Sequence, residues 1–152
     1  MNRRAYPEGY DWVWIGSDCR GSLAAFVTAG EGPMPIQALN SELPLFENVE
    51  EAIFRLPPVS KARLLESMPR PDSFTAMAER GFFVYDWRAV HRTAKANKYE
   101  QVAIPLSPIR SRQLPELLAQ LAQEVRFSNL VFEDTRTLDV RTHFDCCEAV
   151  SQ

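Results

Sequence analysis

Two short runs of aromatic and β-branched residues, separated by a turn sequence, constrain the fold of this chain most strongly. Residues 10–18 and 23–29 are rich in side chains that favour strands, and the turn-forming residues 17–22 lie between them. Because Gly21 can adopt a positive φ, the two runs are predicted to pair as an antiparallel hairpin. Residues 30–35 hold two glycines and two prolines, which exclude further ladder pairing, so the chain is predicted to turn there.

Prolines divide the middle of the chain into short helices. An amphipathic helix is predicted at residues 48–56, where two glutamates occupy the first turn and a Pro-Pro pair follows the end. A second short helix is predicted at residues 59–67, before the next prolines. A third is predicted at residues 74–80, with Gly81 as the residue that ends it.

The second half of the chain alternates strand and helix signals. Buried strands are predicted at residues 81–87 and 99–106. The clearest helix is predicted at residues 115–125, because a proline suits its first turn and apolar residues recur on one face. Residues 130–133 and 137–140 are predicted to form a final hairpin. The apolar face of the clearest helix consists of Leu117, Leu118, Leu121 and Val125.

These elements together predict an α+β fold. We expect a single globular domain over residues 1–152, in which a mainly antiparallel sheet is covered on one side by several short helices and one longer amphipathic helix. The length of 152 residues and the 45% content of hydrophobic residues agree with one soluble domain. Residues 1–9 and 146–152 are predicted to fray, as chain ends often do.

The charge and the cysteine content indicate the cellular compartment of the protein and exclude some classes of binding partner. The net charge is −3, and the basic connection at residues 88–98 is too short to supply the wide basic field of a nucleic-acid binder. No apolar run is long enough to span a membrane, and the start lacks the apolar core of a signal peptide. Three cysteines, two of them adjacent, favour reduced thiols, and a disulfide between Cys19 and the C-terminal pair is the alternative. We therefore expect a cytoplasmic protein that binds neither nucleic acid nor membrane.

The charges are segregated along the chain. Residues 1–54 hold eight carboxylates and three arginines, a net −5, whereas residues 55–126 hold seven carboxylates and twelve cations, a net +5. The most compact acidic stretch interleaves carboxylates with apolar side chains, which favours an acidic surface that docks a basic partner. A solvated helix face and loop is the alternative. The predicted partner-binding residues are Glu42, Phe46, Glu47, Glu50 and Glu51.

The residues that could carry chemistry are few and scattered. His91 could act as an acid–base group with Asp86, or as the partner of a Cys19 nucleophile, although its neighbouring arginines lower its basicity. The histidine and two cysteines in residues 143–147 could attract a soft metal, but a further ligand would have to come from elsewhere. We therefore expect no catalytic residues, no cofactor and no bound metal.

The aromatic residues suggest an alternative to the function of binding a protein partner. Trp12, Trp14, Tyr85 and Trp87 could line the pocket of a small-ligand-binding or regulatory domain. Packing into the core is the simpler use of these side chains, because aromatic rings bury large apolar areas.

Two sequence patterns resemble a known class of proteins. Residues 14–18, Gly21 and residues 25–35 form one pattern, and residues 81–87 form its later counterpart. Together they resemble small bacterial proteins of the kind found beside polymorphic toxins. The resemblance implies a cytoplasmic immunity protein that neutralises a cognate toxin by binding to it, without chemistry of its own. Because the similarity lies in a hairpin and a loop, it assigns no functional residue.

Overall fold

The predicted hairpin is present at the centre of the fold. Strands β1 (Val13–Asp18) and β2 (Leu23–Val27) pair antiparallel, with Val13 opposite Val27. Gly21 in the turn has a φ of +83°, a conformation that glycine adopts without steric cost. The computed structural model describes Tyr6 and residues 11–39, 49–65, 71–87 and 98–147.

Seven of the described strands form one mixed sheet around this hairpin. The order is β4-β6-β5-β2-β1-β7, and β8 pairs with β6. The β2–β5 and β1–β7 pairs are parallel and the other pairs are antiparallel, so the sheet is mainly antiparallel, as predicted. The remaining strands of this sheet are β4 (Ala62–Leu64), β5 (Phe82–Asp86), β6 (Tyr99–Pro105), β7 (Arg126–Phe127) and β8 (Thr137–Leu138).

Short helices cover one face of the sheet, which confirms the α+β fold. The described α-helices are α1 (Ile36–Leu39), α2 (Val49–Phe54), α3 (Asp72–Glu79) and α4 (Glu116–Glu124). Helices α2, α3 and α4 pack apolar side chains against this face, where Ile15 and Val84 are buried. Gly81 follows α3 with a φ of +99°, as expected for a residue that ends a helix.

The opposite face is also covered, which differs from the predicted one-sided sheet. A cluster of large aromatic side chains, here called the aromatic layer, lies between this face and the C-terminal part of the described chain. Burial on both faces explains why β1, β2 and β5 are buried at every position. The aromatic layer consists of Trp14, Phe26, Tyr85, Tyr99, Phe127 and Phe132.

The helix predicted at residues 59–67 is wrong. Ala62–Leu64 form strand β4 instead, paired antiparallel with β6. The next residue continues the contact, because the Leu65 N–H donates to the Val102 carbonyl oxygen at 2.8 Å. A helix of so few residues is only marginally stable by itself, whereas pairing with β6 satisfies backbone groups along the sheet edge.

The hairpin predicted between residues 130–133 and 137–140 is also wrong. Phe132–Asp134 and Val140–Thr142 form 3₁₀ turns, and β8 pairs with β6. The backbone N–H of Phe132 donates to a carboxylate oxygen of Asp18 at 2.9 Å, and its ring lies in the aromatic layer. These long-range contacts replace the local pairing.

The expectations for residues 30–35 and for the chain ends also need correction. Met34–Pro35 forms β3, which pairs with β9 (Cys146–Cys147), so ladder pairing resumes for two residues beyond the turn. The tail predicted to fray from residue 146 is therefore paired through Cys147, and residues 148–152 lie outside the described part. Near the other end, the Tyr6 hydroxyl donates to the Gly32 carbonyl oxygen.

Candidate functional site

The register of the sheet gathers carboxylates at one end of the helix-covered face. In β5, Asp86 lies opposite Val27 of β2 on one side and Glu100 of β6 on the other. Successive strand residues alternate between faces, and Tyr85 lies in the aromatic layer, so Asp86 points towards the helices. Glu100 shares that face because it is the direct cross-strand partner of Asp86.

Two further carboxylates complete the group, which we call the acidic end. Asp11 lies just before β1 at the same end of the sheet, and its carboxylate accepts the backbone N–H of Ala29 at 2.9 Å. Glu50 lies in the first turn of α2 and is exposed. The acidic end consists of Asp11, Glu50, Asp86 and Glu100, contributed by four different segments of the chain.

Burial and mutual repulsion alter the protonation of the acidic end. Burial, helped by the nearby charges of Asp11 and Glu100, raises the pKa of Asp86 to about 7, against a hydrogen bond from the Trp87 backbone N–H that lowers it. Partial desolvation of its carboxylate also raises the pKa of Asp11, and partial desolvation followed by the charge of Asp11 raises the pKa of Glu50. Because like charges repel, the carboxylates of the acidic end oppose one another's ionisation.

The structure describes two of the five predicted partner-binding residues, Glu50 and Glu51. Glu50 belongs to the acidic end, whereas Glu51 is exposed and forms an ion pair with Arg55 at 3.1 Å. The other predicted members, Glu42, Phe46 and Glu47, lie outside the described residues. Sequence reasoning left Asp11, Asp86 and Glu100 out of the acidic surface, because only the pairing register brings them together.

The residues proposed for an aromatic pocket fill the core instead. Trp14, Tyr85 and Trp87 are buried, and Trp12 is partly buried. The Trp14 ring stacks on Phe26 with centroids 4.0 Å apart. A cleft beside Trp14, bounded by α1, α2 and α4, has a volume of about 10 Å³, which holds one water at most. The described aromatic residues therefore leave no room for a ligand there.

The candidate Cys/His sites are not assembled in the described part of the chain. The three cysteines are free thiols, with Cys19 on the hairpin turn and the other two in β9. His91 lies outside the described residues, so its pairing with Cys19 or Asp86 stays a prediction. His143 packs edge-on against Phe127, and burial lowers its pKa. Within residues 11–39, 49–65, 71–87 and 98–147, no three His, Cys, Asp or Glu side chains are grouped to hold a metal ion.

Asp86 should make folding stability depend on pH. Its pKa rises from 3.8 to about 7 on folding, so the folded state binds the additional proton between those values. Stability should therefore decrease as pH rises through this window, and it stays low above it. We expect Asp86→Asn to raise the free energy of unfolding by roughly 2–4 kcal/mol at about pH 8, and to change it little at about pH 4.

Urea denaturation at the two pH values measures this difference. Asp134→Asn is the matched control, because Asp134 is an exposed aspartate on a 3₁₀ turn that packs against the opposite face of the sheet. An Asp86→Asn variant with the same stability difference from the wild type at both pH values would contradict the assignment.

Comparison with known proteins does not identify a relative. No family model, curated protein or solved structure matches this chain. Among the described helices, none is long and apolar enough to cross a membrane.

Proposed function

We propose that the protein is a non-catalytic cytoplasmic immunity protein that neutralises a cognate bacterial toxin by covering part of the toxin surface. The observation that carries the proposal is the acidic end. Glu50 joins it to the acidic stretch predicted as a partner-binding surface, so carboxylates distant in sequence extend that surface. The resemblance of the hairpin and of residues 25–35 to immunity proteins supplies the class of partner.

An acidic surface of this kind favours a basic partner for two physical reasons. A cluster of one sign accelerates encounter with the opposite charge, an effect that decreases as salt rises. A cation docked at the acidic end also offsets the charges of Asp11 and Glu100, which together with burial raise the pKa of Asp86. Binding should therefore release a proton and become tighter as the pH rises through about 7.

The scaffold suits recognition by surface contact. Both faces of the sheet are packed, so the acidic end lies at the edge of a well-packed core. A standard interface buries about 800 Å² on each partner, which a domain of this size can provide. Glu47 and Glu42 lie two and seven residues before α2 in the sequence, outside the described part, and stay predicted members of the surface.

Co-expression with the protein encoded by the adjacent reading frame tests this function. We expect the neighbouring protein to arrest bacterial growth, and this chain to restore growth and to bind that protein directly. A double variant, Glu50→Lys with Glu51→Lys, should weaken binding by about tenfold or more and flatten its salt dependence. The matched control is Glu133→Lys with Asp134→Lys, which reverses two exposed carboxylates on a 3₁₀ turn.

Two results would overturn the proposal. One is growth arrest that continues in the presence of the folded wild-type chain. The other is a binding affinity that is unchanged in the Glu50→Lys, Glu51→Lys variant, which would remove the acidic surface as the site of contact.

A further inference from the structure

A polar pocket lies at the opposite end of the hairpin from the acidic end, about 20 Å away along β1. Its volume is about 400 Å³, within the range of small-molecule sites. Three structural segments form its walls: the hairpin turn, a 3₁₀ turn before α4 (Ser111–Gln113), and the junction of α4 with β7. The side chains used below are those of Cys19, Arg20, Ser111, Gln123 and Arg126.

Hydrogen bonds hold the hairpin turn in place. Both the Arg20 and the Ser22 backbone N–H donate to one carboxylate oxygen of Asp18, each at 2.9 Å. The Ser111 N–H donates to the Gly21 carbonyl oxygen at 3.0 Å, and the Ser17 hydroxyl donates to the Ala122 carbonyl oxygen at 2.9 Å. The pocket is therefore organised before any ligand arrives, which lowers the entropic cost of binding.

Arginines give the pocket a positive field. Arg20, Arg110 and Arg126 are exposed around the turn. Arg126 donates one N–H to the Cys19 carbonyl oxygen at 3.3 Å, and Arg110 donates one to the Arg20 carbonyl oxygen. A guanidinium has five N–H donors, so both retain donors for a ligand.

No carboxylate in the described part of the chain neutralises these arginines by an ion pair. The ion pairs found there join Arg55 to Glu51 and Arg141 to Asp139. Asp18 is the acidic side chain in the pocket wall, but its two carboxylate oxygens accept backbone N–H groups, including that of Phe132. The arginine charges are therefore available to an anion from solution.

We propose that this arginine pocket binds the phosphate group of a small phosphorylated metabolite. The planar fork of a guanidinium matches the spacing of phosphate oxygens, and charge-assisted hydrogen bonds of this type are strong. A phosphate dianion gains more from Arg20 and Arg126 together than a single carboxylate does. The Ser111 hydroxyl and the Gln123 amide line the same pocket and can hydrogen-bond the organic part of the ligand.

Calorimetric titration with AMP and glucose 6-phosphate tests the proposal, with adenosine and acetate as comparison ligands. We expect both phosphate esters to bind, with an affinity that decreases as salt rises, and adenosine to show no binding. Arg20→Gln and Arg126→Gln should each weaken binding by about tenfold or more. Arg63→Gln is the matched control, because Arg63 is an exposed arginine on the edge strand β4.

The alkylation rate of Cys19 provides a second measure of ligand binding in the pocket. Its exposed thiol lies in the pocket wall, so AMP should slow its alkylation by iodoacetamide, followed at the Cys19 peptide by mass spectrometry. The protection should be lost in Arg126→Gln. If circular dichroism shows that a glutamine variant is unfolded, the corresponding lysine variant retains the charge without the fork and should bind with intermediate affinity.

Three outcomes would overturn the proposal. They are the absence of binding by both phosphate esters at millimolar concentration, binding that is unchanged in both arginine variants, and acetate binding as tight as that of AMP.

Discussion

Phe26→Ala is expected to lower the free energy of unfolding by about 3–5 kcal/mol. Phe26 is fully buried in the central strand β2, and its ring is the centre of the aromatic layer. Removing it leaves a cavity that the surrounding rigid rings cannot fill, so their dispersion contacts are lost as well. The neighbouring ring centroids lie at 4.0 Å for Trp14, 4.9 Å for Tyr85, 5.4 Å for Tyr99, 5.8 Å for Phe127 and 6.2 Å for Phe132.

Equilibrium denaturation followed by tryptophan fluorescence measures this loss. Phe26→Leu retains part of the volume and should cost roughly 1–2 kcal/mol, which keeps the test informative if the alanine variant does not fold. Leu106→Ala is the exposed control, because Leu106 is 60% exposed, and it should change stability by less than about 0.5 kcal/mol. A Phe26→Ala variant that is as stable as Leu106→Ala would show that the aromatic layer is not a packed core.

Asp18→Ala is expected to lower the free energy of unfolding by about 3–5 kcal/mol. Asp18 is 1% exposed and accepts three backbone N–H groups, those of Arg20, Ser22 and Phe132, each at 2.9 Å. Alanine removes all three acceptors, and the N–H groups of Ser22 and Phe132 are left buried without them. The carboxylate therefore joins the hairpin turn to the C-terminal segment over a large sequence distance.

Asp18→Asn separates the contributions within this network. Its oxygen can still accept from the turn, but its NH₂ group would face the Phe132 N–H, so we expect a smaller loss of roughly 1–3 kcal/mol. Hydrogen exchange at the Ser22 and Phe132 amides should accelerate in the alanine variant. Asp134→Ala, an exposed aspartate on the 3₁₀ turn after Phe132, is the control. A loss below about 1 kcal/mol for Asp18→Ala would contradict this role.

The two proposed sites lie at opposite ends of the same hairpin and have opposite charges. The acidic end surrounds the start of β1, and the arginine pocket surrounds the turn after it. Each can therefore be altered without a direct effect on the other. Variants of Arg20 and Arg126 should leave binding of a basic protein unchanged, and variants of Glu50 should leave phosphate binding unchanged.

Local patterns predicted the elements that local physics stabilises. The β1–β2 hairpin, the strands β5 and β6, and the helices α2, α3 and α4 all follow from turn residues, β-branched runs and apolar periodicity. Segments whose local sequence signals are weak were predicted wrongly, because contacts with residues distant in the sequence determine their conformation. Residues 59–67 contain a strand because β6 offers an edge, and residues 130–140 lose their hairpin because Phe132 is bound to Asp18 and packed in the aromatic layer.

The residues of the candidate sites also fall into two groups, those that the sequence indicates and those that only the fold brings together. Glu50 and Glu51 stand out in the sequence as part of an acidic run, whereas Asp86 and Glu100 are fourteen residues apart in the chain and meet only through strand pairing. Arg20 lies on the hairpin turn and Arg126 lies in β7, just after α4, and no sequence pattern relates them.

The amino-acid sequence by itself determined the α+β class, the central hairpin and the segregation of charge, because these depend on neighbours within a few residues. Only the tertiary structure decided that both faces of the sheet are buried, and which charged side chains share a surface. The physical reason is that hydrogen-bond register and side-chain packing place distant residues within contact range, and a one-residue change of register would turn Asp86 to the opposite face.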